Sequence, residues 1–230
     1  MSNDRSTNVK TPEGASRPDD DRPPTPPDAG SVHADLCEVA RGLMTQYGNL
    51  DLCAHVCLES GASFPILLQN CGEPDAREAF ADRIRLLTMA VPTRYVAISM
   101  EAWMLAVDEP PHGEPPPIPS QSDRREEVVM LTCEWSGGAT ASWIHAIERD
   151  ENGDVVGLRH RDDLDSTQFD GRFANLLPPP EMMTARIRGT ARIALRQAMC
   201  PVAEEIFKAA DGPRPDPGSS AADPTHPRMH

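Results

Sequence analysis

The sequence predicts an α+β domain: a mostly antiparallel sheet of about five to six strands, with two or three helices, the C-terminal one long. Three observations predict it. Strand-like runs follow one another across turn signals: Gly61, SGG at 136–138 and ENGD at 151–154. Segments with helical spacing bracket these runs instead of alternating with them one for one. Proline-rich, acidic stretches lie at both ends and confine the folded part to about residues 32–210.

The order starts with SVHADLCEVARGLMTQYG. Leu36, Val39, Ala40, Leu43, Met44 and Tyr47 repeat at helical spacing, with Ser31 as the expected N-cap and Gly48 as the stop. LCAHVCLES and SFPILLQN, joined through Gly61, form a hairpin. GEPDAREAFADRIRLLTMAV reads as a second helix on Ala76, Phe80, Ile84, Leu87 and Ala90, ended by Pro92. YVAISMEAWMLAV is apolar on both faces, as a central strand is. Residues 108–123 are too rich in proline for a helix or an inner strand and form a loop. EEVVMLTCEW, ATASWIHAIERD and VVGLRH complete a four-stranded meander, and RDENGDV is its clearest turn. PPPEMMTARIRGTARIALRQAM is the long C-terminal helix, kinked or ended at Pro201, with helical character to about 210. Helices segregated from strands in this way are expected on one face of the sheet.

The termini, 1–31 and 211–230, read as disordered tails: they hold too little apolar surface to offset the entropy of ordering. The chain has 230 residues and a net charge of −14, which argues for an acidic, soluble protein and against nucleic acid or anionic membrane as a partner. Of 22 basic residues only Lys10 and Lys208 are lysines, a bias of GC-rich genomes that points to a bacterium or its phage. No apolar run reaches the ~18 residues of a membrane span. The start, MSNDRSTNVK, has no signal-peptide core, so the expected location is cytoplasmic. The six cysteines are scattered and do not form a disulfide framework.

One residue breaks the pattern. Glu101 sits inside the most apolar strand, where an unpartnered carboxylate is costly. A structural ion pair with Arg124 or Arg125, at the start of the next strand, would explain it. A catalytic reading would combine Glu101 with Ser99 on the same face and with Arg124 or Arg125, in a small hydrolase or transferase; Glu126 or Glu127 would supply a second carboxylate. Cys53, His55 and Cys57 share a strand face and offer soft ligands for zinc, with Cys71 or His33 as a fourth. Their spacing of two is unlike that of zinc loops, so a cysteine-lined core face is the simpler reading. His145, among Ala141, Trp143 and Ile147, reads as a hydrogen-bonded core histidine. Arg188, Arg192 and Arg196 form a stripe at four-residue spacing on the C-terminal helix. It would bind a phosphate, a nucleic-acid strand or an acidic partner, or meet the chain's own acids at 160–170.

The sequence has no glycine-rich phosphate loop, GxSxG elbow, HExxH or dinucleotide fingerprint, and implies no cofactor. EAW, then PSQSDRREEVVML, then ERDENGDVVGL, within residues 75–160, resembles a pattern of uncharacterised bacterial and phage-encoded conserved proteins. That resemblance implies no activity; it draws interest to Glu101, Trp103, Arg125 and Glu126. A non-catalytic interaction or regulatory module is the leading expectation. It would act on an unidentified protein partner or as a homodimer, through a sheet edge, the 108–123 loop or the arginine stripe. The alternatives are the Glu101 enzyme and a nucleic-acid-associated factor using the C-terminal helix.

Overall fold

The computed structural model describes residues 26, 28–68, 74–105, 125–166, 172–199 and 202–212. The tails before residue 26 and after 212, the 108–123 loop, and Cys71, Arg124 and Cys200 lie outside the described residues. In chain order the elements are α1 (Ala29–Tyr47), β1 (Cys53–Leu58), β2 (Ser63–Leu67), α2 (Pro74–Ala90), β3 (Thr93–Met104), β4 (Glu126–Trp135), β5 (Thr140–Arg149), β6 (Val155–His160), α3 (Ala185–Met199) and α4 (Val202–Ala210). The strands form one antiparallel sheet of order β2-β1-β3-β4-β5-β6, so the fold is α+β. No helix among the described residues is long and apolar enough to cross a membrane.

The hairpin turns fall where the glycines predict: Gly61, Gly138 and Gly153 have φ of 88°, 80° and 87°, a backbone that costs glycine little. Gly48 closes α1 at φ 76°, its N–H donating to Met44 O.

Helices cover both faces of the sheet, not one. α2, α3 and α4 pack on the even-numbered face of β1 and β3, through Phe80, Ile84, Leu87, Leu195, Ile206 and Val96 among others. α1 packs on the opposite face, where Val32, Leu36, Ala40 and Met44 meet Ala97, Val129, Leu131 and Trp143. The reason is in the strands: β3 and β4 are apolar on both sides, so each side needs a cover.

Two boundaries also differ. α1 begins at Ala29, and Ser31 is not its cap: it lies in the first turn, donating to Asp28 O. Ala29 and Val32 are buried in the core under α1, and this packing draws the helix start back past Ser31. At the other end, Pro179 is extended and Pro180 opens a short 3-10 turn, Pro180–Met182, which delays the helix. α3 starts only after Thr184, whose Oγ1 accepts from Ile187 N at 3.3 Å. The described C-terminal helices are two, α3 and α4; Pro201, at which a kink or end was expected, lies outside the described residues.

Candidate functional site

The face of the sheet under α1 carries two polar clusters. β1 begins at Cys53, opposite Ser99, and beyond that point β3 pairs with β4 alone, from Met100↔Met130 to Met104↔Glu126. Glu101 sits in this stretch. The chain entering β1 fills the place of the missing strand, and Leu50 N donates to Glu101 Oε2 at 3.3 Å. Glu127 lies opposite Trp103, which makes it the diagonal neighbour of Glu101 on the same face. Arg149, at the end of β5, clamps Glu127 through Nε–Oε2 at 2.7 Å and Nη2–Oε1 at 2.9 Å. The same guanidinium donates to the Gly48 and Gly153 carbonyls.

The two carboxyls are driven apart. Burial, and then the hydrogen bond to Glu127, raise Glu101 above the ordinary glutamate range. The Arg149 bonds lower Glu127 despite its partial burial. Glu101 is therefore the carboxyl that holds the pair's proton when one is present, donating it to Glu127, while its other oxygen accepts from Leu50. The bidentate guanidinium of the cluster belongs to Arg149. Arg125 lies over the Trp103 indole, 4.6 Å from the ring centre, and its charge helps to lower Glu127. Ser99 shares the face but is 2% exposed, and its Oγ has no partner among the described residues. The hollow beside Glu101, lined by Leu50, Leu52, Arg77, Met100 and Phe173, measures about 70 Å³. That admits a few waters and falls short of the ~300–1,000 Å³ of ligand pockets.

The second cluster lies beside it. Val129 pairs with Glu101 on one side and His145 on the other, and His145 pairs with His160. Above them α1 presents His33 and Cys37, one turn apart. His145 Nε2 is 2.9 Å from His33 Nε2 and 3.2 Å from Cys37 Sγ. The His33 ring stacks on Trp143 at 4.6 Å, and the His160 ring stacks on His145 at 4.8 Å. His160 Nε2 is 2.9 Å from Asp165 Oδ1. Burial and the neighbouring imidazoles push His145 down to about 4, and burial lowers His33. Both are neutral at pH 7.

Cys53, His55 and Cys57 share one face as expected, but each thiol donates to the next residue's carbonyl at 3.8 Å, and His55 Nε2 has no partner among the described residues. Among the described residues, His33, Cys37 and His145 are the group whose ligand atoms converge, all within 4.8 Å of one another. His33 belongs to this group. Its sequence signal was HADLC, a histidine and a cysteine four apart on one helical face. Nothing in the sequence ties that pair to His145, 112 residues from His33.

The arginine stripe is engaged internally. Arg192 grips Asp211 at 2.9 and 2.7 Å, Arg196 pairs with Glu204, and both lie over Phe207. The acids at 160–165 are held locally, Asp163 by Arg161 and Asp165 by His160. Arg188 Nη1 is buried without a partner among the described residues. A hollow of about 450 Å³ lies between the β4–β5 turn and residues 174–181. Of its two carboxylates, Glu134 and Glu181, the first is occupied by Leu176 N and Leu177 N at 2.9 and 3.1 Å. Comparison with known protein families, curated proteins and solved structures gives no match.

Proposed function

We infer that the chain is a non-catalytic cytoplasmic interaction module, and that its recognition surface is the end of β3 and β4 around Trp103. The observation that carries this reading is the Trp103–Arg125 pair. The indole is 43% exposed, at the end of β3 where its strand neighbours are half-buried, with a guanidinium laid over its face. Tryptophan and arginine dominate the energetics of protein interfaces, because they bury large area with little loss of side-chain freedom. The groups able to do chemistry nearby are engaged: Glu101 by Leu50 and Glu127, and Glu127 by Arg149. The free thiols of Cys37, Cys53, Cys57 and Cys133 fit a reducing compartment.

The test uses the full chain as bait in its native cytoplasm, with sedimentation to detect a homodimer. Wild type, Glu101→Gln and Arg192→Ala retain the same partner or the same self-association, whereas Trp103→Ala loses it. Retention by Trp103→Ala overturns the assignment of the surface. A turnover abolished by Glu101→Gln overturns the non-catalytic reading.

A further inference from the structure

The geometry points to a transition-metal site formed by His33 and Cys37 of α1 and His145 of β5, selective for zinc-class divalent cations. This inference stands apart from the interaction surface and survives its failure. Three ligand atoms, two imidazole Nε2 and one thiol Sγ, come from two elements and lie within 4.8 Å of one another. Imidazole and thiolate are the donors of zinc, cobalt and copper, whereas calcium and magnesium take oxygen.

The distances fit. In a tetrahedral zinc site, bonds of ~2.05 Å to nitrogen and ~2.3 Å to sulfur place two nitrogens about 3.3 Å apart, and nitrogen and sulfur about 3.6 Å apart. Here the nitrogens are 2.9 Å apart, and His145 Nε2 is 3.2 Å from Cys37 Sγ. These two gaps need to open by about 0.4 Å; the third, between His33 and Cys37, lies within 4.8 Å and closes toward about 3.6 Å by rotation of two side chains one helical turn apart. The surroundings also suit ligands. The rings are held by stacking, His33 on Trp143 and His145 on His160. His160, held by Asp165 at 2.9 Å, keeps its ring against His145 and so fixes one wall of the site.

Binding balances simply. The divalent ion takes the Nε2 lone pairs of His33 and His145 and the sulfur of Cys37. The thiol proton leaves to solvent, and any proton on Nε2 moves to Nδ1 of the same ring. One proton is released per ion. The fourth position is open to water or to a group from outside. The bound ion would tie α1 to the sheet across the face it covers.

The experiment titrates the purified full chain with Co²⁺, then competes with Zn²⁺. Expected are tetrahedral cobalt bands, a thiolate-to-cobalt charge-transfer band, displacement by one equivalent of Zn²⁺, and a higher Tm with zinc. Cys37→Ser removes the charge-transfer band. His33→Gln, a half-buried site that leaves the core intact, weakens zinc by more than the ~10–100-fold that loss of a backing residue costs. Cys53→Ser and His55→Gln leave binding unchanged. Absence of stoichiometric cobalt binding, or a charge-transfer band that persists in Cys37→Ser, overturns the site.

Discussion

Replacing Glu101 by glutamine tests whether this carboxyl is architecture. A protonated glutamic acid and a glutamine are near-isosteres. The glutamine oxygen can accept from Leu50 N as Glu101 Oε2 does at 3.3 Å, and its amide can donate to Glu127 in place of the acid proton. Glu101→Gln should therefore cost less than about 0.5 kcal/mol. The contrast is Arg149→Met, which leaves Glu127 without its cation. At about 4 Å and an effective dielectric near 20, the attraction is worth about 4 kcal/mol. The two side chains are 27% and 19% exposed, so solvent screening and the desolvation of the arginine offset part of it. A net loss of about 2–3 kcal/mol follows, or a Tm lower by about 5–10 °C for a domain of this size. Glu127→Gln should lose about 2 kcal/mol, and the double variant should lose clearly less than the sum of the two.

The assay is urea and thermal unfolding followed by tryptophan fluorescence, with Trp103, Trp135 and Trp143 as probes. The ranking decides. If Glu101→Gln costs as much as Arg149→Met, then Glu101 carries charge in the native state, and the proton-sharing account is wrong.

The pH dependence has a definite sign. Glu101 is raised in the folded protein, so its cost to stability is absent in acid, grows as pH rises from the ordinary glutamate range to its raised value, and is constant above that. Unfolding free energies across pH should show Glu101→Gln level with wild type in acid and gaining on it as pH rises; a gain confined to acid would contradict this. Leu195→Ala, at a side chain 0% exposed between α3 and the sheet, should cost about 2–5 kcal/mol by denaturant unfolding. Gly153→Ala should cost about 1 kcal/mol by the same measure; the space around it is open, and the penalty is the φ of 87°. Arg192→Ala should leave binding to nucleic acid at the background of wild type in a salt-dependent mobility shift, since Asp211 already occupies that guanidinium.

Much of the fold was legible because its determinants are local. The turn at Gly153, the stop at Gly48 and the break before α3 each follow from a few residues whose backbone preferences admit few conformations. The doubly apolar character of β3 was also legible, yet the cover on its second face was missed, because sequence order does not tell which face a helix takes. The site was legible only in part. Glu101 stood out as a charge in an apolar run, with Glu127 as one of two candidate second carboxylates, but the cation was expected from 124 or 125 and Arg149 was missed. Glu127 reaches it by a register offset and Arg149 from one strand further, and both depend on pairings that no local pattern encodes. The histidine cluster was less visible still. HADLC marks a helix face, and His145 marks a core strand; only the docking of α1 brings them together.

That docking links the two clusters. α1 lies on the sheet through an apolar stripe of Val32, Leu36, Ala40 and Met44, and besides the Asp28–Arg94 pair at its N-cap it meets each of the two clusters. Its C-terminal cap at Gly48 accepts from Arg149, the residue that balances Glu127. Its N-terminal half presents His33 and Cys37 to His145. Proton occupancy at Glu101 and ligand occupancy at the histidines thus act on the same helix from two points. A change at either alters how firmly α1 is held, while the core of α2, α3 and α4 on the opposite face is left as it was. Hydrogen exchange resolved by segment distinguishes this from a general loss of stability: disturbing either cluster should speed exchange in α1 well before it does so in α2.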